Sequence, residues 1–296
     1  MSMFKKTTLA LAISALAGGA LAQSAPAPAL APAPATSPIT ANVTVTNDYR
    51  YRGISQSNFK PAIQGGFDYA HESGLYIGNW NSSISWISDY YSPGGAGGVS
   101  NNVSAPVEMD FYAGFKKELI APGFASDIGV LQYYYPTSGL PIGSGSTFAN
   151  PNTTEAYIAQ NFTFGSLTGF VKVSYAMTTL FGNVNSQGSY YPDLTLNYDT
   201  GAYGITLNGH IGYQYVAGNV AGTGTIPSNN SVFGYTDWKL GLTKDFGGGL
   251  SLAVAYVGTN AVQTMRFNGT PYTGYQSPQN KNLGQGGGLI SLTKTF

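Results

Sequence analysis

Cysteine and histidine, the side chains most used for nucleophilic and metal chemistry, are scarce in this 296-residue chain. There is no cysteine, which excludes thiolate chemistry, disulfide bonds and cysteine-based zinc sites. The two histidines are His71 and His210. A serine on the same strand face as His210 would stand at position 208 or 212, and these positions hold Asn208 and Gly212. The sequence therefore lacks a local Ser–His pair, and we expect no enzymatic activity, no metal site and no cofactor.

One pattern of carboxylates still bears on catalysis. Glu108 and Asp110, taken with Asn208 and His210, are weakly similar to the paired dyads of the omptin proteases. Asn208 stands where that pattern has a carboxylate, so the second dyad is incomplete. We interpret His210 as a hydrogen-bonded residue of a polar interior.

The charge composition differs from that of a soluble domain. Charged residues make up 9% of the chain, against about 25% in an average soluble domain. The 13 Lys and Arg balance the 13 Asp and Glu, which excludes a basic surface for nucleic acid. Most of the charges occupy the polar parity of segments in which apolar and polar residues alternate. On this parity lie nine acids (Asp48, Asp68, Glu108, Asp110, Glu155, Asp193, Asp199, Asp237, Asp245) and five bases (Arg50, Arg52, Lys116, Lys172, Lys239).

Alternation of this kind predicts β-strands with one apolar and one polar face. In residues 106–116, Met109 and Phe111 alternate with Glu108, Asp110 and Tyr112. Twelve such segments occur, each close to the ~10 residues with which a tilted strand crosses a membrane. We place them at 42–52, 61–70, 75–86, 106–116, 124–135, 154–164, 167–180, 190–199, 203–215, 235–246, 250–257 and 284–296.

The connections between these segments alternate in length. Short ones are expected at 71–74, 117–123, 165–166, 200–202 and 247–249, and long ones at 53–60, 87–105, 136–153, 181–189, 216–234 and 258–283. Outer-membrane barrels have short periplasmic turns, long external loops and an even number of strands. An open sheet edge in lipid would leave backbone groups without partners, so the sheet must close. The predicted fold is all-β: an antiparallel, up-and-down transmembrane β-barrel of about twelve strands.

A charged side chain facing lipid would cost about 2–4 kcal/mol near the midplane if it is Arg or Lys, so the charges are expected inside the barrel. The excess of acids predicts a mild preference for cations. Arg50 and Arg52 are expected to project from the first strand as one side of a constriction, opposite Glu108 and Asp110; a local ion-pair network is the alternative. The candidate pore-lining residues are Asp48, Arg50, Arg52, Asp68, Glu108, Asp110, Lys116, Glu155, Lys172, Asp193, His210, Asp237 and Lys239.

The lipid-facing parity carries aromatic residues and a few polar exceptions. Tyr76 and Trp80 are among the aromatic residues assigned to it. Lys244 and Lys294 interrupt this apolar face. Both lie near the predicted periplasmic ends of their strands, where long side chains can reach polar surroundings. Asn47 and Gln160 also lie on the lipid-facing parity, near the middle of their predicted strands. A β-bulge in either strand would move the residue away from the lipid face.

The N-terminal residues predict export. Lys5 and Lys6 precede a short apolar stretch and the small-residue site at 20–22, so residues 1–22 are expected to be a cleaved secretory signal peptide. Residues 23–38 form an Ala/Pro-rich spacer, and the barrel is assigned to 39–296.

The C-terminus and several internal stretches carry a family resemblance. The chain ends in Phe296, as bacterial outer-membrane barrels do, and this residue is the expected assembly signal. Residues 47–57 (NDYRYRGISQS), 64–69 (QGGFDY), 108–114 (EMDFYAG) and 291–296 (SLTKTF) resemble the TorF-type porin family, largely uncharacterised proteobacterial outer-membrane proteins. The resemblance implies a pore-forming barrel without naming a solute.

Two functions fit these observations. The first is a porin in the outer membrane of a Gram-negative bacterium, through which small hydrophilic solutes or ions diffuse. The second is a non-conducting structural barrel that binds partners through its external loops. Either would contact outer-membrane lipid and lipopolysaccharide, and would depend on the barrel assembly machinery and periplasmic chaperones; no nucleic acid is expected.

Overall fold

The computed structural model describes residues 38–95, 97, 103–141, 148–221 and 225–296. The predicted signal peptide and all of the predicted spacer except Pro38 lie outside the described residues. Within the described part of the chain, neither of the helices has the length and hydropathy needed to span a bilayer.

The elements are short strands with two single-turn helices. In chain order they are β1 (Ile39–Thr46), β2 (Arg50–Tyr51), β3 (Ile54–Ser55), β4 (Ala62–Ala70), β5 (Leu75–Ser83), α1 (Trp86–Tyr90), β6 (Val107–Ala121), β7 (Phe124–Tyr134), β8 (Thr153–Phe164), β9 (Leu167–Ala176), β10 (Tyr190–Asp199), β11 (Ile205–Gln214), α2 (Asn229–Phe233), β12 (Tyr235–Asp245), β13 (Leu250–Thr259), β14 (Thr264–Phe267), β15 (Thr270–Thr273) and β16 (Gly287–Thr295).

Twelve of these strands form one closed antiparallel barrel, in the order β1-β16-β13-β12-β11-β10-β9-β8-β7-β6-β5-β4. The pair β1 and β16 closes it, so no edge is left exposed. The remaining strands form two small hairpins, β2–β3 and β14–β15. The predicted barrel of twelve strands is therefore confirmed.

Alternate residues of each strand face opposite environments. In β1, Val45 is 51% exposed on the outside and Thr46 is 1% exposed on the inside. The same alternation gives an outer surface of exposed Ile, Leu, Val, Phe and Tyr side chains and an interior of buried polar and charged ones. An apolar outside and a polar inside are typical of transmembrane β-barrels.

The connections divide the barrel into two different ends. Short turns at 71–74, 122–123, 165–166, 200–204 and 246–249 mark the turn end, and the six connections at 47–61, 84–106, 135–152, 177–189, 215–234 and 260–286 mark the loop end. The predicted alternation is confirmed. The second short turn is tighter than predicted, because β6 runs on to Ala121 and shifts register between Glu118 and Ala121.

The first predicted strand was too long. Strand β1 ends at Thr46, and residues 47–61, called loop 1 below, leave the wall and fold into the barrel. Period-two alternation continues through Tyr49 and Tyr51, but both rings are buried inside and do not face lipid. Tyr76 and Trp80 also point inward, so their assignment to the lipid face was wrong.

Several tyrosines lie flat across an inward-facing glycine of the neighbouring strand. Gly78 of β5 pairs with Tyr112 of β6, and Gly114 of β6 pairs with Tyr76 of β5. A Cβ atom at Gly78 would lie 2.3 Å from the Tyr112 ring, so no larger residue fits while the ring keeps its place. Glycine at these positions makes room for a tyrosine-lined interior.

The two polar residues of the lipid face need no bulge. Asn47 donates to the carbonyl of Gly288 (3.1 Å) and accepts from the N–H of Ile290 (2.8 Å), which extends the contact between β1 and β16. Gln160 accepts a hydrogen bond from Ser126 (2.8 Å), and the pairing of β7 with β8 runs there without a shift. Since Gln160 also donates to the carbonyl of Asn161 on its own strand (3.1 Å), local hydrogen bonds satisfy both amides.

Candidate channel interior

Loop 1 occupies the centre of the barrel at its loop end. The Tyr49 side chain is fully buried, and its hydroxyl donates to Glu108 Oε1 (2.6 Å). The Tyr51 hydroxyl lies 2.7 Å from the hydroxyl of Tyr133 on β7. Loop 1 is thereby attached to the wall formed by β6 and β7.

Arg52 extends loop 1 to the strands that lie opposite β1 in the barrel. Its Nη2 lies 2.7 Å from Glu155 Oε2 on β8, and its Nη1 donates to Gln214 Oε1 on β11 (2.7 Å). The guanidinium also lies 4.1 Å from the centre of the Tyr191 ring on β10. In the order of the barrel these strands lie around β9, which is opposite β1. A chain segment therefore crosses the lumen from one side to the other.

The electrostatic environment of Arg52 keeps it charged. Burial lowers its pKa, but the Glu155 carboxylate and the nearby tyrosine hydroxyls outweigh burial and raise the pKa above its ordinary value. The Glu155 side chain is itself only 1% exposed. A pair buried to this extent is costly to break, because each partner alone would be an uncompensated charge.

Arg50 attaches loop 1 to the last long connection. Its Nε lies 2.5 Å from Asp48 Oδ2, and its Nη1 donates to the carbonyls of Leu283 (3.2 Å) and Gln285 (3.0 Å). The prediction that both arginines project from the first strand towards Glu108 and Asp110 was wrong, since both belong to loop 1 and pair elsewhere. Of the two predicted arrangements, the local ion-pair network is the one that matches these contacts.

Carboxylates and tyrosines alternate on the inner wall formed by β4 to β8, called the tyrosine–carboxylate wall below. Tyr112 donates to Asp68 (2.5 Å), and Tyr76 donates to Asp127 (2.7 Å) while also bonding Tyr157. Nearer the loop end, Glu108 accepts hydrogen bonds from the hydroxyl of Tyr135 (2.8 Å) and from that of Tyr49 in loop 1. The tyrosine hydroxyls supply these acids with hydrogen bonds but not with a countercharge.

Two acids of this wall are incompletely bonded. Neither oxygen of Asp110, which is 1% exposed, accepts a hydrogen bond from the described residues, and Asp127 Oδ2 likewise has no partner there. Sequence reasoning placed Asp110 inside but missed Asp127. The alternation that puts Leu131 and Tyr133 on the inner face also includes position 127, and would have found it.

The facing wall, from β9 to β12, contains two of the interior lysines. Lys172 lies 3.8 Å from Asp193, and Lys239 is half-buried on β12. On the first wall, Lys116 is buried and donates to Asn161 (3.2 Å). These candidate residues therefore face the interior as their parity predicted.

His210 is held by three side chains. Its Nε2 lies 3.0 Å from Asp237 and 2.9 Å from the Tyr191 hydroxyl, and its Nδ1 lies 2.9 Å from Thr195. No serine is among its hydrogen-bond partners in the described part of the chain. This environment fits the interpretation of His210 as a hydrogen-bonded interior residue.

The remaining predicted residues lie at the turn end. Asp199 and Asp245 accept hydrogen bonds from the N–H groups of Gly201 (2.9 Å) and Gly247 (2.7 Å), so they cap turns. Phe296 is 72% exposed, and its backbone pairs with that of Ala41 next to the β1–β16 closure. Its expected role as an assembly signal stays a prediction.

A family model described as a bacterial protein of unknown function (Gcw_chp) matches residues 31–296. The chain belongs to this family. The Gcw_chp match includes the whole barrel and loop 1, and the resemblance to the TorF-type family stays a prediction beside it. No curated protein sequence matches the chain.

Solved structures with a similar fold include outer-membrane porins. The KdgM porin has 6% identity and a TM-score of 0.46, with 87% of this chain and 98% of that chain covered. OprD of Pseudomonas aeruginosa has 10% identity and a TM-score of 0.37, with coverages of 86% and 66%. OccAB4 of Acinetobacter baumannii has 8% identity and a TM-score of 0.39, with coverages of 80% and 53%. At such identities the likeness concerns the fold alone.

Proposed function

We propose that this member of the Gcw_chp family is an outer-membrane porin of a Gram-negative bacterium, through which small hydrophilic solutes or ions diffuse. The observation that carries the proposal is the closed barrel with apolar side chains outside and charged ones inside. Charged side chains in a membrane protein belong where water can reach them, and charges that line a water-filled lumen set its ion preference.

In this proposal, loop 1 constricts the channel. It passes between the tyrosine–carboxylate wall, where Tyr49 bonds Glu108 and Arg52 bonds Glu155, and the facing wall, where Arg52 bonds Gln214. Solutes would pass beside loop 1, in contact with the candidate residues on both walls. The interior of a twelve-stranded barrel is narrower than that of the 16–18-stranded porins, so the proposal is limited to small solutes.

Single-channel recording in planar bilayers tests this proposal. The refolded barrel is expected to give discrete current steps, and replacing both Arg50 and Arg52 by Ala is expected to change their size because loop 1 loses its two ion pairs. Replacing the exposed Arg266 of β14 by Ala is the matched control, and should leave the steps unchanged. A folded, heat-modifiable protein that gives no steps, either intact or with both arginines replaced, would contradict the proposal.

The contacts of loop 1 also favour a second candidate function. A lumen crossed by a segment with a fully buried tyrosine and a buried ion pair fits a closed barrel whose six long connections bind a partner. Swelling of proteoliposomes in solutions of small sugars or amino acids separates the two. A porin supports swelling, whereas a closed interaction barrel does not.

The proposed location implies the machinery that delivers such barrels. Export through the periplasm would require the predicted signal peptide, and insertion would require the barrel assembly machinery and periplasmic chaperones. Phe296, exposed at the end of the last strand, is the proposed assembly signal. Lipid and lipopolysaccharide would surround the apolar outer surface.

A further inference from the structure

A cavity of about 350 Å³ lies at the loop end of the barrel, above loop 1. Residues from all six long connections line it, and loop 1 contributes Tyr51, Ile54 and Gln56 to its floor. This volume is within the range of sites that bind small molecules. Neither Arg52 nor Glu155 lines the cavity, which meets the ion-pair network of the barrel interior at Gln214, the amide that bonds Arg52.

The lining of this cavity is aromatic and almost uncharged. Rings are contributed by Trp86 and Tyr90 of α1, by Phe181 and by Tyr275, and amide and hydroxyl groups lie between them. Among the described lining residues, Asp89 is the one with a charged side chain, and it accepts a hydrogen bond from Ser85. Burial raises the pKa of both Tyr90 and Tyr275, so these phenols stay neutral.

Tyr235 presents an unused polar group in this lining. Its side chain is 4% exposed, and its ring packs edge-on against that of Tyr275 with 5.2 Å between the centroids. The other tyrosines of the floor use their hydroxyls internally: Tyr51 bonds Tyr133, and Tyr275 donates to the carbonyl of Phe233. The Tyr235 hydroxyl forms no hydrogen bond with the described residues. The indole N–H of Trp86, another lining residue, is buried without a hydrogen-bond partner among them, and a buried donor in this state requires a partner from outside.

We infer that this cavity is a binding site for an uncharged sugar. Aromatic faces are the negative side of the ring quadrupole and suit the C–H faces of a sugar ring. The Tyr235 hydroxyl, the unpartnered indole N–H of Trp86 and the lining amides suit its hydroxyl groups. Carboxylate and ammonium ligands lack a countercharge here, apart from the hydrogen-bonded Asp89. The inference deepens the proposed function by naming the solute class, and its test does not depend on conduction.

Equilibrium titration of the folded barrel in zwitterionic micelles tests the inference. Detergents with sugar headgroups are excluded because they would occupy the site. The probes are methyl glucoside, glucuronate and glucosamine, which share a ring and differ in charge, with benzyl alcohol as the aromatic alternative. Saturable heat in calorimetry and a shift of tryptophan emission are expected with methyl glucoside, at an affinity at least tenfold above those of the two charged sugars.

Three variants locate the binding. Tyr235→Phe is expected to weaken binding of methyl glucoside about 3- to 10-fold, the effect of one lost hydrogen bond. Tyr203→Phe, the same change at an exposed position of a turn, is the matched control and should leave affinity unchanged. Trp86→Phe should abolish the emission shift while calorimetric heat persists, because Trp80 and Trp238 do not line the cavity.

Each of four outcomes overturns the inference: no saturable binding of methyl glucoside, tighter binding of a charged sugar, tighter binding of benzyl alcohol, or equal affinity of Tyr235→Phe and the intact protein. A barrel that conducts without binding sugar would leave the proposed channel standing and remove this site. A barrel that binds sugar without conducting would support the site and contradict the channel.

Discussion

At the scale of single residues, Arg52 decides how firmly loop 1 is held. Its guanidinium bonds Glu155 and Gln214 at 2.7 Å each, and both partners are buried. Arg52→Ala leaves the Glu155 carboxylate buried without its countercharge. We expect the free energy of unfolding to fall by about 3–5 kcal/mol.

Urea titration of the barrel in lipid vesicles, followed by tryptophan emission, measures this loss. The double variant Arg52→Ala/Glu155→Gln should recover part of it, because the uncompensated charge is then removed as well. Arg266→Ala, at an exposed position of β14, is expected to change stability by less than about 0.5 kcal/mol. Equal stabilities of Arg52→Ala and Arg266→Ala would show that the ion pair does not hold loop 1.

The sequence alone predicted which side chains face inward, but not which residues they contact. Alternation placed Glu108, Asp110 and Glu155 inside, because parity depends only on neighbours along the strand. The partners of Arg52 are 103 and 162 residues away in the chain. Such pairs depend on how loop 1 folds in the closed barrel, and no local pattern carries this information.

At the scale of elements, pairs of tyrosine and glycine shape the wall. The Tyr112 ring lies over Gly78, and its hydroxyl reaches Asp68 at 2.5 Å. Gly78→Ala would place a methyl group against this ring and force it away from Asp68. We expect a loss of about 1–3 kcal/mol, the usual effect of overpacking.

Gly209→Ala is the matched control for this substitution. Gly209 also lies within a barrel strand, and a Cβ atom there would meet nothing within 4 Å. Midpoints of urea unfolding in vesicles compare the two variants, and Gly78→Ala/Tyr112→Leu should be more stable than Gly78→Ala alone. If Gly78→Ala and Gly209→Ala unfold at the same urea concentration, the ring does not need the glycine.

The twelve strands were predictable because apolar alternation and turn residues act locally. The largest error was the first strand, which was predicted to end at position 52 and ends at Thr46. Tyr49 and Tyr51 continue the alternation of apolar and polar residues beyond Thr46, but their rings are buried in the interior of the barrel. A pattern of period two does not distinguish a strand of the wall from a segment that folds inside it.

At the scale of the whole molecule, the interior charges are unevenly distributed. The tyrosine–carboxylate wall contains Asp68, Asp110 and Asp127, which have no salt bridge, and Lys116 is its one inward base among the described residues. By contrast, Asp193 of the facing wall pairs with Lys172 and Asp48 of loop 1 pairs with Arg50, while Glu155 of β8 is the one acid of the tyrosine–carboxylate wall that forms a salt bridge among the described residues, with Arg52. If water fills the lumen, ions therefore meet a negative surface along one side.

This distribution predicts that the channel prefers cations. Reversal potentials measured across a salt gradient at alkaline pH, where buried carboxyl groups are ionised, should show cation preference in the intact protein, and Asp110→Asn/Asp127→Asn should reduce it, because both substitutions remove charge and preserve shape. Glu72→Gln/Glu118→Gln is the matched control, since it removes the same charge from exposed positions at the turn end. Anion preference of the intact protein, or equal shifts in the two double variants, would refute selectivity by this wall. A shift confined to the inner pair would mean that ions pass beside the tyrosine–carboxylate wall, because a charge acts strongly only within about 10 Å at 0.1 M salt.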